Sequence, residues 1–144
     1  MSENVEVIKA LIPGPDEDVA RMFRDLQDTD LAAAREEEVG GLFDPNFEAV
    51  GFYTGDTRYR GPYGLRDHWI NWLEPWATYY IRVERIVENG DRVLVRTHDR
   101  GRRHGSDADV ELHGGSIWTF REGRLLRAEF YPSREAIDAA WPLE

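Results

Sequence analysis

Apolar residues near the start of the chain recur with the period of an α-helix. Four of them are spaced i, i+3, i+4, i+7 and share one face: Val19, Met22, Phe23 and Leu26. Asp16 precedes this segment and is its expected N-cap. The pattern predicts further helices over residues 3–11 and 30–39, the second of which ends at the glycines of positions 40 and 41.

A tryptophan-rich helix follows in the middle of the chain. A strand is predicted over residues 47–53, and Pro62 then stands where the first turn of a helix favours proline. Pro75 marks the end of this helix. Its apolar face carries four large side chains: Leu65, Trp69, Trp72 and Trp76. Because a buried tryptophan removes about 150–250 Å² from water, we expect this helix to anchor the core.

From residue 78 onward the period changes to two, which is typical of strands. Asn89-Gly90 predicts a hairpin turn, residues 99–107 a polar loop, and Glu122-Gly123 the turn before a last strand. Ser133 is the expected N-cap of a closing helix. Helices followed by an antiparallel meander indicate the α+β class, with the helices on one face of the sheet.

Composition limits the functions that such a fold could serve. The chain has 144 residues, which predicts a single domain over 1–144, and it has no cysteine and a formal net charge of −10. The negative charge disfavours nucleic acid as a partner, and no apolar run is long enough to predict a membrane partner. The first residues lack a signal-peptide pattern, so we expect a cytoplasmic protein. The four histidines lack metal-site spacing, and no cofactor is expected.

Several short motifs follow one another along the chain: Phe43–Phe47, Tyr59–Gly61 with Gly64–Arg66, Gly90–Val95, Trp118–Arg124, and Tyr131 with Arg134–Ala136. In this order and spacing they resemble the nuclear-transport-factor-2-like superfamily, in particular its polyketide-cyclase (SnoaL-like) branch. The match covers residues 43–136, whereas the helical part over 1–41 contains an extra segment. The resemblance implies a cone-shaped fold in which a strongly curved, mostly antiparallel sheet packs on N-terminal helices and encloses a pocket. It also implies a homodimer, since many relatives are dimers.

The positions that carry catalytic residues in some relatives hold other residues here. Relatives that abstract a proton often place an aspartate in the strand before the Tyr59-Arg60-Gly61 match, where this chain has Phe52. Others place an aspartate or histidine two residues before the aromatic of the Trp118 motif, where this chain has Ser116. Neither residue is a carboxylate or imidazole base, so the resemblance alone predicts no reaction.

The register of the last hairpin decides which residues face the pocket. A two-residue turn would pair Ser116 with Glu129 and bring both, with Tyr131, to the pocket side. A glycine-bulge turn shifts the pairing by one residue and moves every side chain of one strand to the other face. We favour the bulged register because it gives one consistent apolar face: Leu112, Gly114, Ser116, Trp118 and Phe120 with Leu126, Ala128 and Phe130.

Few ionisable residues qualify as proton acceptors, and each also has a purely structural interpretation. His113 stands on a central strand, Glu129 within the last strand, and Asp99 beside His98 at the start of the polar loop. Neighbours in a strand point to opposite faces, so His98 and Asp99 are not expected to act as a pair. Six residues are expected to line a ligand pocket: Phe23, Phe52, Trp69, Trp72, Ser116 and Trp118.

Three functions therefore remain open. The first is a binding module that holds a small hydrophobic molecule, polycyclic or aromatic, in an aromatic-lined cavity. The second is an isomerase, cyclase or dehydratase that acts on such a molecule by general acid–base catalysis. The third is a dimeric interaction domain with a vestigial cavity. The lack of an ionisable side chain at positions 52 and 116 favours the first.

Overall fold

A computed structural model describes residues 3–25, 40–52, 57–61 and 63–141. The helices are α1 (Glu3–Leu11), α2 (Val19–Asp25), α3 (Gly64–Leu73) and α4 (Arg134–Ala140), with a 3-10 turn at Gly40–Leu42. The strands are β1 (Phe43–Gly51), β2 (Thr57–Arg60), β3 (Trp76–Asn89), β4 (Arg92–Arg103), β5 (Asp109–Arg121) and β6 (Arg124–Tyr131). The helix predicted over residues 30–39 lies outside the described residues.

The strands form one curved, open sheet in the order β2-β1-β6-β5-β4-β3. All neighbouring strands pair antiparallel except β1 and β6, which are parallel. The α+β class and the mostly antiparallel sheet packed on N-terminal helices are thus confirmed. None of the helices within the described ranges combines the length and apolarity that a membrane span requires.

Helices cover both faces of the sheet, which corrects the prediction of helices on one face. On the face that we call inner, Val5 and Ile8 of α1 pack with residues of β4 and β5 in the main core cluster. Helices α2 and α3 contribute to a second cluster on the same face. On the opposite, outer face, Ile137 of α4 packs against Leu94 and Ile117. The alternation of strand side chains makes this possible, since both faces of these strands carry apolar residues.

Several element boundaries differ from the predictions, and β1 covers Phe43–Gly51 where the sequence predicts a strand over 47–53. Helix α2 starts at Val19, where the Asp18 carboxylate accepts a hydrogen bond from the backbone N–H of Arg21 at 3.3 Å, so Asp18 and not Asp16 is the N-cap. Trp76 is the first residue of β3 and not part of the tryptophan helix. The predicted polar loop 99–107 is mostly strand, because β4 continues to Arg103 and pairs with β5 up to Asp109.

The register of the last hairpin is the one favoured from sequence, but the extra residue lies elsewhere. Ser116 pairs with Phe130, as the bulged register requires. The turn itself contains only Glu122 and Gly123, both with positive φ (52° and 79°), as in a type I′ turn. The bulge is inside β6 at Leu126, because Thr119 pairs with Arg127 and Phe120 with Leu125. Leu125 therefore faces the core in place of Leu126.

Candidate functional site

The inner face of β4 changes from apolar to polar along the strand. Val93 and Val95 belong to the main core cluster. Thr97 and Asp99 continue the same face, since side chains two apart in a strand point the same way. Both are buried, and Asp99 is only 5% exposed. A buried carboxyl group among apolar residues is costly, which makes it the first candidate for function on this face.

Asp99 is held by a tyrosine from the neighbouring strand. The Tyr79 hydroxyl donates a 2.6 Å hydrogen bond to Asp99 Oδ2. No described residue donates a well-aligned hydrogen bond to Asp99 Oδ1. Burial raises the pKa of Asp99 to about 6, although hydrogen bonding by Tyr79 and Thr97 acts in the opposite direction. Near neutral pH this group can therefore exist with or without its proton.

Tyr79 is held in position by contacts of its backbone and of its side chain. Its backbone N–H donates a 3.0 Å hydrogen bond to Asp18 Oδ1, which links β3 to the start of α2. Its ring packs edge-on against Trp76 at 5.2 Å and Trp72 at 6.1 Å. Opposite Tyr79 stands Gly101, where a Cβ would lie 2.5 Å from the Trp76 ring and 2.9 Å from the Tyr79 ring. Only glycine leaves room for both rings there.

A histidine occupies another part of the inner face. His68 of α3 is 2% exposed, and its ring stacks on Phe130 with centroids 4.1 Å apart. A Cβ at Gly51 would lie 2.9 Å from His68 Cε1, so the absence of a side chain at position 51 admits the ring. Burial lowers the pKa of His68 to about 4. The imidazole is therefore neutral at pH 7 and can exchange hydrogen bonds without carrying charge.

Four of the six predicted lining residues lie along the inner face. They are Phe23 of α2, Trp69 and Trp72 of α3, and Trp118 of β5. Trp69 packs against Phe130 at 5.3 Å and lies 6.2 Å from Phe23. Trp72 contacts the Tyr79 ring, as described above. Trp118 meets Phe130 edge-on at 5.7 Å. Aromatic rings thus connect the His68 region to the Tyr79–Asp99 pair, and flat apolar rings suit contact with a hydrophobic molecule.

The other two predicted lining residues have different environments. Ser116 is buried on the inner face, but its Oγ accepts a 2.8 Å hydrogen bond from Trp118 Nε1. Phe52 follows β1 on the outer side of the sheet and stacks on Tyr131 at 4.9 Å, in the cluster formed with α4. The structure therefore groups Phe52 with the outer face, because each step along an extended chain reverses the side-chain direction.

Two of the three predicted proton acceptors lie on the outer face. The rings of His113 and His98 stack at 4.4 Å, and His98 Nε2 is 2.8 Å from a carboxylate oxygen of Glu111. Glu129 accepts a 2.7 Å hydrogen bond from the Tyr131 hydroxyl. Only Asp99 reaches the inner face, where it is joined by Tyr79, which the sequence interpretation did not single out. Within the described ranges no cluster of acidic or imidazole groups is arranged to hold a metal ion.

The sequence model of the SnoaL-like domain matches residues 19–128, more than half of the chain. The chain belongs to the SnoaL-like family. This confirms the resemblance drawn from the short motifs and places the chain in the nuclear-transport-factor-2-like superfamily. None of the curated proteins compared with the chain matches its sequence.

Solved structures share the fold at low sequence identity. A candidate SnoaL-like polyketide cyclase from Jannaschia sp. CCS1 is 16% identical with a TM-score of 0.66, covering 96% of this chain and 90% of that protein. TerC, co-crystallised with polyporic acid, is 20% identical with a TM-score of 0.61, covering 96% and 97%. An NTF2-like protein of unknown function from Burkholderia pseudomallei K96243 is 14% identical with a TM-score of 0.62, also covering 96% and 97%. Such identities establish a common fold and leave the reaction to the site itself.

Proposed function

We propose that this SnoaL-like protein is an acid–base enzyme that binds a small hydrophobic molecule against the inner face and exchanges a proton with it through Asp99. The observation that carries the proposal is the buried carboxyl group of Asp99, hydrogen-bonded by Tyr79, with its pKa raised to about 6. A group that titrates close to the working pH is an effective proton donor and acceptor. This reverses the preference for a binding module that positions 52 and 116 suggested.

The surroundings of Asp99 support a role as base followed by acid. As a carboxylate it would accept a proton from a carbon next to a carbonyl, and as the acid it would return that proton to another atom of the same molecule. The Tyr79 hydroxyl holds Oδ2, so the proposal assigns Oδ1 to the substrate, which would have to part the side chains that bury this oxygen. An isomerisation, cyclisation or dehydration of a hydrophobic carbonyl compound is consistent with such a transfer, and the nearby rings would supply apolar contact.

The test separates binding from proton exchange. Polyporic acid and a panel of steroid and polyketide ketones would be titrated against tryptophan fluorescence, since Trp69, Trp72 and Trp118 lie on this face. Exchange of carbon-bound protons would be followed by NMR in D₂O for each compound that binds. We expect Asp99→Asn to retain binding and lose exchange, by about 10²-fold or more. The matched control is Glu129→Gln, which removes a carboxylate from the outer face and leaves exchange unchanged.

A second candidate function is binding without catalysis. It is favoured by the Ser116–Trp118 hydrogen bond, which uses a polar group of the inner face for packing. In that case compounds would quench the fluorescence while neither the wild type nor Asp99→Asn catalyses exchange. Exchange that persists undiminished in Asp99→Asn would contradict the proposed role of Asp99.

A further inference from the structure

A groove lies on the outer face, where β1 and β6 pair irregularly. Phe43 pairs with Leu125 and Glu48 with Arg127, so five steps along β1 match only two along β6. The excess backbone turns at Asp44, whose Oδ1 accepts a 2.8 Å hydrogen bond from the backbone N–H of Asn46. The groove between these segments has a volume of about 430 Å³. A cleft of this size can hold a small molecule.

The lining of this groove is mixed. Pro45 and the bulged Leu126 supply apolar surface, while Asn46 and Thr119 add an amide and a hydroxyl that can donate hydrogen bonds. The bulge in β6 is what separates Leu126 from the core position taken by Leu125. Bulges often redirect a side chain toward a binding surface in this way. The irregular pairing of β1 with β6 and the bulge in β6 thus lie at the same place, and together they shape the groove.

Positive charge is concentrated around a single carboxylate at this groove. Glu48 lies 3.1 Å from a guanidinium nitrogen of Arg58 and 3.4 Å from those of Arg60 and Arg127. Arg127 also lies 3.6 Å from Glu129. Three guanidinium groups therefore share two carboxylates, which leaves one positive charge on a chain whose net charge is −10. The Arg60 side chain is 83% exposed and keeps most of its donors for a ligand.

We propose that this groove binds a small organic anion, a carboxylate or phosphate carried on a compact apolar body. Guanidinium groups bind both anions through paired, parallel N–H donors, and Arg60 and Arg127 both line the groove. The anionic group would lie between these two arginines, with Asn46 and Thr119 as further donors and the apolar part against Leu126 and Pro45. The groove is separate from Asp99, which faces the inner side of the sheet.

The test uses phenyl phosphate and benzoate as probes and benzyl alcohol as their neutral counterpart. Titrations followed by ¹H–¹⁵N NMR should show saturable shifts at the groove for at least one anion and none for the alcohol. Arg60→Gln should weaken anion binding about tenfold, because it removes one of two bidentate donors. Glu48→Gln should strengthen it by a similar factor, because the competing carboxylate is gone.

Opposite responses to these two variants are the signature of the proposed site, since general loss of structure would weaken binding in both. Arg82→Gln, on the exposed part of β3, is the matched control and should bind as the wild type does. Asp99→Asn should also bind the probes normally, which keeps this result independent of the proposed catalysis. Equal affinity in Arg60→Gln, weaker affinity in Glu48→Gln, binding of benzyl alcohol, or no saturable shift with either anion would each overturn the proposal.

Discussion

At the scale of single residues, Asp99 combines a cost in stability with a suitable position for chemistry. Its carboxyl group is buried, and the resulting rise of its pKa to about 6 means that folding is disfavoured whenever the group is ionised. Residues that destabilise the folded state while meeting a chemical requirement are typical of functional sites. This property can be measured before any substrate is known.

The substitution Asp99→Asn should stabilise the folded protein at pH 8, by about 3 kcal/mol, because it removes a buried charge and keeps an oxygen for the Tyr79 hydroxyl. Urea unfolding at pH 8 and pH 4 would measure the difference. At pH 4 the wild-type acid is protonated, and the gain should disappear. Asp107→Asn, in the exposed loop before β5, is the control and should change neither value. A variant that is destabilised equally at both pH values would contradict the assignment.

The second prediction at this scale concerns Gly101. A methyl group at this position would overlap the Trp76 ring at 2.5 Å and crowd Tyr79. Gly101→Ala should therefore lower the free energy of unfolding by about 1–3 kcal/mol, as overpacked sites do. Gly41→Ala is the matched control, since a Cβ there has no neighbour within 4 Å. Unfolding curves that coincide for both variants would show that Trp76 and Tyr79 can move aside at little cost.

At the scale of elements, α2 attaches the N-terminal part of the chain to the start of β3, the strand that carries Tyr79. Asp18 caps this helix and also accepts from the Tyr79 backbone, while Arg24 donates to the backbone oxygens of Trp76 and Ala77 at 3.2–3.4 Å. The short helix is thus attached to the start of β3 at both ends. Its buried residues Val19 and Ala20 add apolar contact with the same strand.

Removal of the Asp18 acceptor should loosen this attachment. Asp18→Ala should cost about 1–2 kcal/mol, because one helix N–H and the Tyr79 N–H lose their acceptor, whereas Asp18→Asn keeps an oxygen and most of the stability. Thermal unfolding of both variants would measure the effect. In Asp18→Ala amide hydrogen exchange at Tyr79 should also become faster. Equal stability of the two variants would indicate that water replaces the carboxylate without loss.

Much of the element order could be predicted from the sequence, but the pairing of β3 with β4 could not. The turn lies at Gly90-Asp91 rather than Asn89-Gly90, and it pairs Asn89 with Arg92. Farther along, Val83 pairs with Thr97, which requires one extra residue in β3, at Glu84. No glycine, proline or other turn residue marks this bulge, so the hydrophobic pattern gives no sign of it.

That bulge decides which side chains share the candidate site. A hairpin without this bulge, whether it turned at Asn89-Gly90 or at Gly90-Asp91, would place Tyr79 on the face of Arg100 and His98, away from Asp99. With the extra residue Tyr79 is paired with Gly101 and meets Asp99 on the inner face. The aromatic positions of α3 were predictable from helical spacing because a helix has no comparable register to slip. Asp99 could be named as a candidate from sequence, but its partner could not.

At the scale of the whole molecule, two buried groups set opposing dependences of stability on pH. Asp99 has a raised pKa in the folded state, so its contribution grows as the pH falls from about 6 to about 4. His68 has a lowered pKa, so the unfolded chain takes up its proton first and stability is lost as the pH falls from about 6.5 to about 4. Each contribution amounts to about 3 kcal/mol, and the two largely cancel in the wild type.

Single variants should reveal the two contributions separately. Asp99→Asn should lose stability steeply on acidification from pH 6.5 to 4.5, because the His68 contribution is then unopposed. His68→Phe, which keeps a ring on Phe130, should instead lose less than the wild type over the same range. Urea unfolding at half-unit steps would measure both slopes. His104→Gln, in the exposed loop after β4, is the control, and a similar change in its slope would assign the effect to histidine content in general.

The extra residue at Glu84 in β3 has a consequence for evolution. Deletion of the codon for Glu84 would leave every other residue of β3 unchanged. It would nevertheless turn the Tyr79 side chain away from Asp99, toward the outer face of the sheet. Homologous chains that differ by such an indel would align well while presenting different functional groups to a guest molecule. In this family, a tyrosine that aligns with Tyr79 is therefore weak evidence for the same chemistry. The number of residues between that tyrosine and the β3–β4 turn is better evidence.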